Sequence, residues 1–128
     1  MGKDKMILID TNILIEVYRN NKNIIETVQN IGQHNIAIST ITFAELLYGS
    51  RNKKELQLIR KDISTLTVID INETVSAKFI ELIGEYALSH KLAIPDALIA
   101  ATAICNNLPL YTLNKKDFQF INSIELIN

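Results

Sequence analysis

Four carboxylates, Asp10, Glu45, Asp96 and Asp117, fall where apolar stretches give way to turns or to the first turns of helices. A single carboxylate in such a place satisfies orphan N–H groups and the helix dipole, and needs no other role. Four sharing one pocket are another matter, because like charges repel and the arrangement persists mainly around a divalent cation. Oxygen donors without soft ligands suit Mg2+ or Mn2+ rather than zinc. Gaps of 35, 51 and 21 residues separate the four, so only the fold could bring them together.

That fold has to gather strand ends. Residues 6–10 are an apolar run closing on a carboxylate, the pattern of a parallel strand covered on both faces. Ile13, Leu14, Val17 and Tyr18 share a helical face, and a second helix starts near Asn23 and stops at Gly32. Residues 36–39 read as a strand. Thr40 or Thr42 then caps a helix that carries Glu45 in its first turns and ends at Gly49 and Ser50, and residues 52–64 form another helix. Residues 67–71 read as a short β-branched strand, and Asn72 caps a long helix that buries Val75, Phe79, Leu82, Ile83 and Tyr86. Pro95 suits the first turn of a helix whose face from Ala97 to Ala101 is small enough to lie close on a sheet, with Asp96 in that turn. Residues 109–112 read as a strand, 114–120 as a turn or short helix, and 123–127 as a final edge strand. Strands alternating with helices predict an α/β fold, a three-layer α/β/α sandwich with a mostly parallel central sheet, as a single domain over residues 1–128. Ligands of such sheets sit beyond the carboxyl ends of the strands, where these acids fall.

Composition removes several classes. The 128 residues contain one cysteine, Cys105, so no internal disulfide or four-thiolate zinc site can form, which suits a reducing cytoplasm. No apolar run approaches the roughly 20 residues of a spanning helix, and no apolar core of a signal peptide follows the charged start, so a soluble cytoplasmic protein is expected. His34 and His90 lie in polar stretches and read as surface residues; Cys105 reads as a buried helix residue. There is no nucleophile elbow, phosphate-cradling glycine loop or dinucleotide fingerprint. A formal charge of −1 also argues against a nucleic-acid binder that works by bulk positive charge.

Four ordered blocks surround the acids: Ile9-Asp10-Thr11-Asn12, Ser39-Thr40-Ile41-Thr42-Phe43-Ala44-Glu45-Leu46-Leu47-Tyr48-Gly49, Ile94-Pro95-Asp96-Ala97-Leu98-Ile99-Ala100-Ala101 and Leu113-Asn114-Lys115-Lys116-Asp117-Phe118. Together they resemble a PIN-domain ribonuclease of the VapC toxin type, over nearly the whole chain. The resemblance implies a nuclease needing Mg2+ or Mn2+, an RNA substrate and inhibition by a cognate VapB-type antitoxin. It makes Asp10 and Asp96 the central metal ligands, with Glu45 and Asp117 completing the acidic pocket directly or through water. Thr11, Asn12, Thr112 and Asn114 stand where the family's supporting hydroxyl and amide groups stand, although both asparagines are also good turn residues.

An RNA substrate needs positive charge around the acids. Lys115 and Lys116 precede Asp117, and Arg51, Lys53, Lys54, Arg60 and Lys61 cluster within eleven residues, as phosphate contacts or as an ordinary solvated helix face. The 14 acids less the four candidates leave 10 against 13 bases, a positive surplus of three hidden by the near-neutral total. Apolar residues of the helices within 12–31 and 52–64 exceed what one sheet face needs. With the resemblance, they suggest a homodimer and a groove for an antitoxin's amphipathic tail, whose Arg could enter the acidic pocket. Two other readings compete: a non-catalytic PIN-like module that docks on RNA or protein, and a receiver-type phosphoacceptor domain using Asp10 and Asp70.

Overall fold

The computed structural model describes residues 6–127. Its centre is a four-stranded parallel sheet in the order β3-β2-β1-β4, built from β1 (Ile7–Ile9), β2 (Ile36–Ser39), β3 (Thr67–Ile69) and β4 (Leu110–Tyr111). Helices α1 (Thr11–Tyr18), α2 (Lys22–Ile31), α3 (Thr40–Tyr48), α4 (Lys53–Ile63), α5 (Glu73–His90) and α6 (Ile94–Cys105) connect the strands.

The period-two alternation of the strands divides the core into two faces. Leu8, Ala37 and Leu110 point into one layer, against Val75, Leu82 and Tyr86 of α5 and the alanines of α6. Ile9, Ile36, Ile38 and Tyr111 point into the other, against Ile13 and Leu14 of α1, Leu46 of α3, and Ile59 and Ile63 of α4. In α6, Ala97, Ala100, Ala101 and Ala103 are fully buried; side chains this small let the helix approach the sheet closely and fix where its N-terminus lies.

Strand order reverses at β1. The chain passes from β1 outward through β2 to β3, then crosses to the opposite side of β1 for β4. The crevice at the carboxyl end of β1 is therefore the switch point at which such sheets hold their ligands.

Several boundaries differ from the sequence reading. Ser39, not Thr40 or Thr42, caps α3, its Oγ accepting from the Ile41 N–H at 3.2 Å. Thr40 instead donates to the Ile69 carbonyl at 3.1 Å, and Thr42 is fully buried. The expected edge strand over 123–127 contracts to a single parallel bridge between Leu110 and Leu126, held by Leu110 N–H to Glu125 O and Ile127 N–H to Leu110 O. A two-residue β4 offers no more ladder than that. Strand β3 stops at Ile69, and the 114–120 segment keeps only one 3-10 turn, Lys115–Asp117. Asn72 caps α5 as expected, while Asn52 caps α4 and Asn21 caps α2. Cys105 is half-buried on α6.

Phe118, fully buried against the α5–α6 layer, anchors the turn that carries Asp117. Phe118→Ala should cost about 3–5 kcal/mol in urea unfolding, whereas truncating Leu88, 97% exposed, should stay within about 0.5 kcal/mol. Equal losses for the two would contradict this account of the packing.

Candidate active site at the carboxyl end of the central strand

Asp10 follows β1 directly and is only 5% exposed. Its N–H donates to the Tyr111 carbonyl at 2.9 Å, tying it to β4, and its carbonyl accepts from Ile13 as α1 begins. Both carboxylate oxygens are held: Oδ1 accepts the Thr11 N–H at 2.7 Å and Oδ2 the Thr112 hydroxyl at 2.7 Å. Thr112 Oγ1 in turn accepts the Asn114 N–H at 3.0 Å, and Asn12 Oδ1 accepts the Leu113 N–H at 3.3 Å. Together these bonds join the start of α1 to the loop after β4. Asn114 contributes here through its backbone.

Glu45 is the sixth residue of α3, beyond the turn in which a carboxylate could cap the helix. Its Oε1 accepts the Thr11 hydroxyl at 2.6 Å. Thr42 Oγ1 lies 3.1 Å from Thr11 Oγ1; with Thr11's only hydroxyl proton on Glu45, the proton between the two threonines is Thr42's. Thr42 went unnoticed in the sequence as anything but a cap. Its signal was its place three residues before Glu45, on the same helical face.

Asp96 lies in the first turn of α6, whose N-cap, Ala93, has no side chain able to cap. Asp117 closes the 3-10 turn after β4. Among the described residues, neither carboxylate receives a hydrogen bond or an ion pair. Burial, and then the charges of Asp10, Asp117 and Glu45 in that order, push the Asp96 carboxyl up to about 6. Burial also raises Asp10; the bonds from Thr112 and Thr11 lower it, and the charges of Glu45 and Asp117 raise it again. All four acids thus share one electrostatic site. They do not form a closed cage, because among the described residues no three His, Cys, Asp or Glu side chains are gathered tightly enough to hold an ion unaided.

A protein-family model described as "PIN domain" matches residues 7–121. The chain belongs to the PIN-domain family. It is 37% identical to Ribonuclease VapC2 of Rickettsia felis, across 94% of this chain and 96% of that protein. A toxin-antitoxin complex from Klebsiella pneumoniae contains a chain that is 34% identical and superposes with a TM-score of 0.78, covering 92% of this chain and 94% of that one. For DNA-bound VapBC from Salmonella typhimurium the TM-score is 0.84 at 26% identity, covering 96% and 97%. These likenesses place this PIN domain in the VapC group.

The basic residues of the PIN domain are distributed unevenly around the acids. Arg51 and Arg19 line a groove of about 620 Å³ that Glu45 also lines, but Arg51 is forked onto Glu55 at 2.7–3.3 Å and Arg19 pairs with Glu16 at 3.1 Å. Lys53 and Lys54 are exposed in the first turn of α4, and Lys116 is exposed beside Asp117. Lys115 is partly buried in the same turn. Asp70 follows β3 at the sheet's outer edge, with β2 between it and β1, and is not among the charges acting on Asp10. The paired acids that a receiver domain needs are therefore not assembled. His34 and His90 are exposed.

The raised carboxyls set a sign for pH dependence. A folded-state value of about 6 for Asp96, against 3.8 unfolded, means that the folded protein holds its proton more tightly. That stabilisation is complete below about pH 4 and is lost as pH rises through about 6; Asp10 acts in the same direction. Urea midpoints in divalent-free buffer should fall over this interval from the contribution of these groups, and Asp96→Asn should reduce the fall. A slope unchanged in that variant would place the repulsion elsewhere.

Proposed function

We propose that this PIN domain is a metal-dependent endoribonuclease and the toxin of a toxin–antitoxin pair. The observation that carries the reading is the burden of three acidic charges on a fourth, Asp96, with no cation of the chain among the described residues to relieve it. A relative named as a ribonuclease, at 37% identity, supports it further.

The donor set fits Mg2+ or Mn2+. All candidate ligands are carboxylates, and these hard cations keep several waters while binding through one or two carboxylates, which suits a site with no preformed cage. Asp10 and Asp96 would hold the ion directly, with Glu45 and Asp117 ligating directly or through water. When bound, the cation supplies a water of lowered pKa and offsets negative charge on the phosphodiester in its transition state. The chain's own residues do the orienting. Thr112 and the Thr11 N–H fix the two oxygens of Asp10, so its remaining lone pairs face the crevice in a set direction. Thr11 fixes Glu45 and is itself backed by Thr42. Asn12 and the Asn114 N–H hold the β4 loop and so govern the entry of Asp117. Lys115 and Lys116, with Arg51, Lys53 and Lys54 further out, would meet RNA phosphates on either side of the acids.

The antitoxin has a site of suitable chemistry. Between α1, α3 and α4 runs the groove of about 620 Å³, lined by Ile15, Tyr18, Leu46, Leu58 and Ile59 and reaching Glu45. An amphipathic helix of a VapB-type partner would lay its apolar face here, and an Arg beyond it would enter the acid site. A homodimer is proposed alongside, supported by exposed apolar residues elsewhere, Ile80 and Leu88 on α5 and Ile94 on α6.

Asp10→Asn and Asp96→Asn should each lower Mg2+- or Mn2+-dependent cleavage of RNA by at least about a hundredfold, beyond the 10–100-fold scale of residues that merely support a ligand. Retention of full activity in either purified variant would sink the mechanism. Lys115→Glu with Lys116→Glu should weaken RNA binding and reduce the slope of log affinity against log salt by about one to two; an unchanged slope would remove these lysines from the interface. Sedimentation at high concentration should give a dimer, and a clean monomer would remove that part of the proposal.

A further inference from the structure

Beside the acid site lies a second hollow, of about 480 Å³, lined by Thr11, Ile15, Ile41, Ala44, Glu45 and Tyr48. Ile41, Glu45 and Tyr48 follow at i, i+4 and i+7 along one face of α3, with Ile15 of α1 opposite. Thr11 and Glu45 belong to both the hollow and the acid site, so the two are continuous. We propose that Tyr48 is the stacking platform for an unpaired base of the RNA strand next to the phosphodiester held at the four acids. The inference rests on the ribonuclease reading above and adds to it a subsite and a residue.

Tyr48 is 93% exposed, and its hydroxyl and ring have no partner among the described residues. The other three tyrosines have structural work. Tyr18 donates to Asp62 at 2.7 Å, Tyr86 packs edge-on against Phe120 with centroids 5.1 Å apart, and Tyr111 sits in the core. A lone exposed aromatic ring means little by itself. Tyr48, however, stands three residues from Glu45, about 4.5 Å along the helix axis, at the lip of a depression whose walls, Thr11 and Glu45 apart, are aliphatic.

The chemistry of the lining selects the occupant. Glu45 is its only charged group, and no Lys, Arg or His lines it, so a phosphate is repelled. A nucleobase is neutral and presents two apolar faces, which suits an aromatic platform flanked by isoleucines. Single-stranded RNA is the form in which a base can turn out of its stack to reach such a platform. With a phosphate over the acids, the adjoining nucleotide falls within reach of the hollow. Stacking tolerates every base, so Tyr48 would supply position and affinity rather than sequence choice.

The test uses the full chain and an oligoribonucleotide spanning a site that the wild type is found to cut in total cellular RNA with Mg2+ or Mn2+. Tyr48→Ala should lower kcat/KM about tenfold, the scale of one base–aromatic stack, while Tyr48→Phe should stay within about twofold. An abasic residue at one nucleotide flanking the cut should cost the wild type a similar factor and cost Tyr48→Ala almost nothing further. Tyr48→Ala cutting like the wild type, an abasic penalty undiminished in that variant, or a loss in Tyr48→Phe as large as in Tyr48→Ala would each overturn the platform. So would a Tyr48→Ala variant that loses only its binding of an antitoxin while cutting RNA normally, since the hollow would then serve the protein partner. A wild-type chain that cuts no RNA overturns the ribonuclease reading and the subsite with it, whereas cleavage unaffected by Tyr48 overturns the subsite alone.

Discussion

The acids of this PIN domain are oriented by neutral donors, and the character of the site follows from that choice. Hydroxyls of Thr112 and Thr11 and one backbone N–H hold Asp10 and Glu45 in place. A hydroxyl fixes a carboxylate's direction and leaves its charge almost intact, whereas an Arg or Lys would fix it and cancel it. The ion pairs formed among the described residues all lie within helices or at their ends on the surface: Arg19 with Glu16, Arg51 with Glu55, Lys78 with Glu81. None touches the four acids. No Lys or Arg shifts the Asp10 or Asp96 carboxyl, and the negative cluster stands at the sheet's switch point.

That cluster is possible only because the sheet is parallel and short. Parallel strands put all their carboxyl ends on one edge, so the residues after β1, β2 and β4 meet there without long loops. The buried alanines of α6 bring in the fourth acid. A bulkier face would hold the helix further off the sheet and carry Asp96 away from Asp10. Packing on one side of the sheet therefore governs electrostatics at its edge.

Much of this was legible in the chain. Apolar runs ending in polar residues located β1 and β2, Asn52 and Asn72 marked helix starts, and Gly32 at φ 85° marked a stop. The four acids could be chosen because they recur at strand-to-helix transitions, and the structure brings all four into one field. Pairwise tertiary facts were not legible. Propensity cannot distinguish Ser39 from Thr40 or Thr42 as a cap, because all three are good capping residues; only the sheet edge, by burying Thr42 against Thr11, decides. Nor could composition show that residues 123–127 would meet a strand only two residues long and form one bridge. Net charge is blind for a related reason, since a sum over the chain hides where opposite charges are placed.

The four acids are also unequal in how firmly they are held, which bears on how an open cluster could close. Asp10 is fixed at both oxygens and by its backbone, and Glu45 is fixed by a threonine that is itself buried and bonded. Asp96 and Asp117 receive no hydrogen bond or ion pair among the described residues, and Asp96 is not fully buried. Side-chain rotation of Asp96 or Asp117 therefore breaks no hydrogen bond or ion pair among the described residues, whereas moving Asp10 or Glu45 does. A cation drawn to the four acids would offset the repulsion that raises Asp96, against the entropy cost of ordering two short side chains.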